Sequence, residues 1–198
     1  MMKQPDKKAI RPESTSNARQ SEKGVQPNIR VCGVPELGDE LQRQPASIIS
    51  IWDPHADDAT NHLKIFELGL PGTRVFVSKF DDIPAAEPGK RLVTAADIRA
   101  ILRFAETAPG PMLVHCRAGI SRSTAITYAI LCQASGPGSE AECMRQTASI
   151  RPQAVPNLRI VTLADEILGR DGEMVRAHRD FMRKYIIGGG TEGELNNP

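Results

Sequence analysis

From about residue 28 to residue 80 the chain sets short apolar runs between Pro, Gly and Asp breaks. Ile29–Val34, Ser47–Trp52, Leu63–Leu68 and Arg74–Ser78 are rich in β-branched residues and read as strands. The period then lengthens. Thr94-Ala95-Ala96-Asp97 has the form of a helix start with Thr94 as N-cap, and Ile98, Ile101, Leu102 and Ala105 share one helical face. Ala108-Pro109-Gly110-Pro111 stops that helix. Met112-Leu113-Val114 is apolar throughout and too short for a helix, which predicts a buried central strand. From residue 120 to about 187 the pattern is helical, broken near Gly136-Pro137-Gly138, Arg151-Pro152 and Gly169. Strands first, one helix between strands, then a run of helices predict an α/β fold. Its centre is a mostly parallel sheet of about four to five strands, flanked by helices.

The two ends carry no such pattern. Residues 1–27 hold Lys, Arg, Gln, Ser, Asn and Pro with almost nothing apolar, and their basic residues outnumber Asp6, Glu13 and Glu22, so they read as a disordered basic tail. Gly188-Gly189-Gly190 opens a second flexible tail, 188–198. The folded unit is therefore expected over 28–187, long enough to bury one core. The N-terminus leads into no apolar segment, so no signal peptide is expected, and no apolar run approaches the roughly 18 residues of a membrane span. Together these predict a cytoplasmic protein.

Composition narrows the function classes. Lys and Arg number 25 against 24 Asp and Glu, a net charge of +1, which gives no general attraction to nucleic acid or to a membrane surface. Aromatic residues make up 4% of the chain, so aliphatic side chains must fill the core. The cysteines, Cys32, Cys116, Cys132 and Cys143, form no CxxC pair, and neither a zinc ribbon nor a disulfide scaffold is indicated. No cofactor and no metal are expected. His55, His62 and His178 stand alone in sequence, and the charged stretch from Asp171 to Lys184 reads as a solvated helix face.

One segment carries chemistry. His115-Cys116-Arg117-Ala118-Gly119-Ile120-Ser121-Arg122-Ser123 falls where the buried strand ends and a helix begins, and fits H-C-x-x-G-x-x-R-[S/T]. Chance would supply that pattern on the order of once in ten thousand chains of this length, so the reading of an incidental buried cysteine is set aside. A loop from a strand into a helix N-terminus can turn successive N–H groups of residues 117–122 onto an anion. Gly119 allows a backbone conformation that a side chain would block. Arg122 adds a planar fork suited to a phosphoryl group. Helix N-termini and cationic neighbours lower a thiol from about 8.5 to roughly 3.5–7.5, so Cys116 should ionise near neutrality and attack phosphorus. Ser123 can donate to that sulfur as it leaves. His115 is expected to order the loop and to assist ionisation, rather than to act as a base.

The segment resembles the phosphate-binding loop of the cysteine-dependent protein tyrosine phosphatases, and its wording is closest to the compact dual-specificity branch. Phe80-Asp81-Asp82-Ile83, Arg151-Pro152-Gln153-Ala154-Val155-Pro156-Asn157 and Ala164–Arg170 are similar, more narrowly, to a group of small bacterial predicted tyrosine phosphatases. The resemblance implies a phosphatase domain over 28–187 and a cysteinyl-phosphate intermediate. It implies catalytic Cys116, Arg122 and Ser123, and a general acid on a loop well upstream of the nucleophile. Asp82 matches the group's aspartate in register, with Asp81 as the alternative. Asp53, Asp57 and Asp58 lie farther upstream, which sets them too far back in the expected sheet order. Asn157 matches a helix-start position under the loop and also reads as an N-cap. Arg117, Ala118, Gly119, Ile120, Ser121 and Arg122 would surround the phosphate. Ile120, in place of a second cation, favours a singly phosphorylated substrate. The expected partner is a phosphorylated protein, carrying phosphotyrosine and also phosphoserine or phosphothreonine, with no nucleic acid and no membrane. The rivals are a phosphatase of inositol phosphates or RNA 5′ ends, and a non-enzymatic phosphoprotein-binding module.

Iodoacetate should alkylate Cys116 with a half-maximal rate at a pH below the roughly 8.5 of a free thiol. A profile matching free cysteine would remove the basis of the nucleophile assignment.

Overall fold

The computed structural model describes residues 27–55 and 70–187. The expected strand Leu63–Leu68 and both expected tails lie outside the described residues, apart from Pro27 at the edge of the first.

Four strands form one sheet: β1 (Ile29–Cys32), β2 (Ser47–Trp52), β3 (Arg74–Lys79) and β4 (Met112–His115). Their order is β1-β4-β2-β3, and every neighbouring pair is parallel. Met112-Leu113-Val114 thus is the central strand that its uniform apolarity predicted. All residues of β2 and β4 are buried, as expected of parallel strands covered on both faces, whereas β3 is an edge strand with Val75 and Val77 exposed. The first apolar run is shorter than its sequence suggests. β1 ends at Cys32, and Val34–Glu36 turns into a 3-10 helix with Pro35 near its start, because proline cannot donate to a ladder but suits a first helical turn.

Alternation along the strands sorts the core into two layers. Cys32, Ile48 and Leu113 face α1 (Leu37–Gln42), which covers them with Leu37 and Leu41. Ile49, Ile51, Met112 and Val114 face the larger core, built with α2 (Ala95–Thr107), α3 (Arg122–Ser135), α4 (Glu140–Ile150), α5 (Leu158–Leu168) and α6 (Glu173–Ile187). The breaks read from Gly136–Gly138, Arg151-Pro152 and Gly169 fall between these helices. Thr94 caps α2 as expected: its hydroxyl accepts from Asp97 N–H at 3.3 Å, and the Asp97 carboxylate accepts from Thr94 N–H at 2.9 Å. α3 is buried from Arg122 through Cys132 and packs against α2, α4, α5 and the sheet. No helix among the described residues is long and apolar enough to cross a membrane.

Candidate functional site

In a parallel sheet all strands end on the same edge, so the segments after them meet there. Here they bring together Gly33 after β1, Asp53 after β2, Phe80-Asp81-Asp82 after β3 and His115–Ser121 after β4.

The last of these, the loop into α3, is shaped from outside. Arg117 C=O accepts from Val34 N–H at 2.9 Å, Gly119 C=O from Arg151 Nε at 3.0 Å, Ile120 C=O from Val155 N–H at 3.0 Å and Ser121 C=O from Asn157 N–H at 3.3 Å. The C=O and N–H of a trans peptide point opposite ways. Pinning these four carbonyls therefore turns the N–H groups of Ala118, Ile120, Ser121 and Arg122 away from those donors, which makes an anion nest at the start of α3. Two glycines allow the approach. Gly119 has φ +72°, and a Cβ on it would come within 2.4 Å of Gly33 N; a Cβ on Gly33 would come within 2.7 Å of Ala118 O. Both clashes are with backbone, which cannot swing aside.

Cys116 sits in the loop, 1% exposed. Its Sγ accepts from Gly119 N–H at 3.3 Å and lies 3.2 Å from the hydroxyl of Ser123, which is fully buried in the first turn of α3. Arg122 is 3% exposed; its Nη1 donates to Phe80 O at 2.7 Å and to Asp53 Oδ1 at 2.9 Å. On the other side of the guanidinium, Asp82 Oδ2 lies 3.8 Å from Nε. Asp82 Oδ1 accepts from Ser121 Oγ at 2.7 Å and from Asn157 Nδ2 at 2.8 Å. Asn157 also caps α5, its Oδ1 accepting from Arg159 N–H and Ile160 N–H, so its two amide atoms serve the helix and the loop at once. Asp81 points elsewhere. It accepts from Arg91 N–H at 2.8 Å and Lys90 Nζ at 3.3 Å, and although burial opposes ionisation these partners hold it below the ordinary aspartate range. The structure thus gathers Cys116, Arg122, Ser123, Asp82 and Asn157 around one nest, with Asp81 outside it. A dianion in that nest would meet amide donors and a guanidinium, a sulfur nucleophile and a carboxyl group held near its rim.

No known family profile matches the chain, and no curated protein does. Solved structures do. Tk-PTP in its active form is 18% identical with a TM-score of 0.53, the match covering 74% of this chain and 93% of that one. Human DUSP28 is 19% identical with a TM-score of 0.53, covering 72% and 89%. DUSP15 is 21% identical with a TM-score of 0.51, covering 81% and 94%. The chain has the dual-specificity phosphatase fold.

Within this phosphatase fold several neighbours of the nest were not legible in advance. Asp53 had been set aside as too far back in the sheet order. That expectation fails because β2 pairs directly with β4, so the residue after β2 reaches the loop after β4, pairing Arg122 and lying 3.8 Å from the 80% exposed Arg117. Asp57 and Asp58 lie outside the described residues. Gly33, Glu36 and Arg151 act on the loop from elements distant in sequence; the one advance signal was Arg151 within the Arg-Pro…Pro-Asn stretch. Ser121 contributes its hydroxyl as well as its amide. Among the described residues no three His, Cys, Asp or Glu side chains stand together as metal ligands would. The other thiols are buried: burial pushes Cys32 up to about 12, and Cys143, hydrogen-bonded to Cys132, is drawn down to about 6 chiefly by that bond.

His115 differs from its expected role. It is fully buried, edge-on to Trp52 at 5.2 Å between ring centroids, and burial pushes it down to about 4, against a weaker upward pull from the Cys116 backbone. The imidazole is therefore neutral at pH 7 and adds no positive charge beside the sulfur. Since the folded chain binds its proton less tightly than the unfolded chain, stability should fall as pH drops from 6.5 to about 4, by up to about 3 kcal/mol. Denaturant midpoints across that window should show a shallower slope for His115→Asn than for the wild type. Equal slopes would place the imidazole in a solvated setting.

Proposed function

We propose that residues 28–187 form a cysteine-dependent protein phosphatase that hydrolyses phosphotyrosine, and phosphoserine or phosphothreonine, through a cysteinyl-phosphate. The observation that carries this reading is the placement of Cys116 Sγ between Gly119 N–H and Ser123 Oγ, with Arg122 and Asp82 at the same nest. The Tk-PTP, DUSP28 and DUSP15 folds support it by their architecture. The narrower kinship with the small bacterial tyrosine phosphatases rests on the sequence stretches around Asp82, Arg151 and Asp165. A thiol nucleophile has to stay reduced, which suits a cytoplasmic setting.

In the first step the Cys116 thiolate attacks phosphorus. The S–P bond forms as the P–O bond to the alcohol or phenol breaks. Arg122 and the amides of the nest stabilise charge on the three non-bridging oxygens. Asp82, as the carboxylic acid, gives its proton to the departing oxygen. In the second step Asp82, now a carboxylate, takes a proton from water as that water attacks the cysteinyl-phosphate. The S–P bond breaks, phosphate leaves and the thiolate returns, accepting from Ser123. Ser121 and Asn157 fix the Asp82 carboxyl through Oδ1, which leaves Oδ2 to exchange the proton. Ile120 at the loop suits a single phosphate group, and Arg117 offers an exposed cation to an acidic flank of a peptide.

A panel of phosphotyrosine, phosphoserine and phosphothreonine peptides, inositol phosphates and RNA 5′-phosphates tests the assignment. Peptides should turn over best. Cys116→Ser should abolish turnover while still binding oxyanions. Asp82→Ala should slow phenyl phosphate about a hundredfold or more and p-nitrophenyl phosphate far less, because nitrophenolate departs without a proton. Vanadate binding without turnover of any substrate would instead make the domain a phosphoprotein-binding module.

A further inference from the structure

Three of the four outward carbonyls in the loop are held by backbone amides, which any sequence would supply. The fourth, Gly119 C=O, is held by a side chain. Arg151 is 13% exposed; it donates from Nε to Gly119 C=O at 3.0 Å, and from Nη1 and Nη2 to the two carboxylate oxygens of Glu36 at 2.7 and 2.9 Å. Glu36 Oε2 also accepts from Gly33 N–H at 2.8 Å. The Arg151 fork and then the Gly33 amide hold Glu36 below the ordinary glutamate range, so it stays charged. Gly33 lies against the loop so closely that a Cβ on either glycine would strike the other strand of backbone. A closed circuit therefore runs from Gly33 through Glu36 and Arg151 to Gly119. It joins the end of β1, the link between α4 and α5, and the loop after β4.

The Gly119–Ile120 peptide is where such a brace matters most. Gly119, with φ +72°, lacks the side chain that would otherwise restrict rotation of this peptide. Were it to flip, its carbonyl oxygen would enter the nest and meet the oxyanion with like charge, while the Ile120 N–H would be lost as a donor.

We propose that Arg151 and Glu36 are positioning residues that lock the Gly119 carbonyl outward and so hold the Ile120 N–H toward the bound phosphoryl group. This rests on the phosphatase reading above. Neither side chain touches substrate; both act through the loop backbone. The planar, bidentate geometry is specific to arginine, since lysine supplies one point of charge and cannot reach a carboxylate fork and a carbonyl together.

The test measures the vanadate dissociation constant and kcat/KM for p-nitrophenyl phosphate, alongside Tm, for the full chain. Arg151→Met should bind vanadate roughly tenfold more weakly, the scale of one lost charge-assisted hydrogen bond, and kcat/KM should fall with it. Arg151→Lys should recover little. Glu36→Gln should weaken binding less, and the double variant should be no worse than Arg151→Met, as members of one circuit are not additive. A role in stability alone would lower Tm and the active fraction but leave the dissociation constant of the folded fraction unmoved. Arg145→Ala, which removes an exposed ion pair with Glu142 on α4, should match the wild type throughout. Wild-type vanadate affinity in Arg151→Met overturns the proposal; if that variant does not fold, the same affinity in Glu36→Gln does so. Failure of the wild type itself to bind vanadate or turn over substrate would instead overturn the phosphatase reading, and the brace with it.

Discussion

The direction in which four peptide carbonyls point underlies the rest of this site. A backbone loop has no intrinsic reason to aim its N–H groups at one spot, since like dipoles converging on a point repel. Here the cost is met on the outer side, where Arg117, Gly119, Ile120 and Ser121 each give their oxygen to a donor from another part of the chain. The nest is thus a by-product of the loop being bonded from behind. The sheet order makes this feasible: with β4 between β1 and β2, the segments after all three strands can touch the loop.

Electrostatics follow from that arrangement. Arg122 is nearly excluded from water and would be costly to bury alone. It is met by the Phe80 carbonyl and Asp53, with Asp82 close to its Nε. These neighbours fix the plane of the guanidinium before any phosphoryl group arrives, which is the kind of preorganisation that electrostatic stabilisation requires. His115, by contrast, is placed for packing against Trp52 and remains neutral, so the positive field around Cys116 comes from amides and arginine.

The features legible in the sequence were those encoded locally. Uniform apolarity marked β4, alternation marked β2 and β3, Thr94 and Asp97 marked the start of α2, and glycine and proline marked the helix breaks. The phosphate loop was legible because its residues are contiguous. What escaped were contacts between segments far apart in the chain. Asp53 could not be placed without knowing that β2 adjoins β4. Gly33 looked like part of a strand, and its need for a hydrogen in place of a side chain arises from Ala118 approaching it. Asp81 and Asp82, adjacent in sequence, were separable only once Lys90 and Arg91 were seen to engage the first of them.

The two halves of the site also differ in how firmly they are anchored. Cys116, Arg122 and Ser123 belong to the innermost helix and strand, whereas Asp82 opens a stretch that is exposed at most positions from Pro84 to Arg91. In the proposed chemistry the sulfur would stay stationary while the proton donor rides on the outer wall. Such an asymmetry suits one fixed electrophile-binding cup to alcohols of unequal reach, a short serine stem or a longer phenol, with adjustment confined to the side where the departing oxygen emerges.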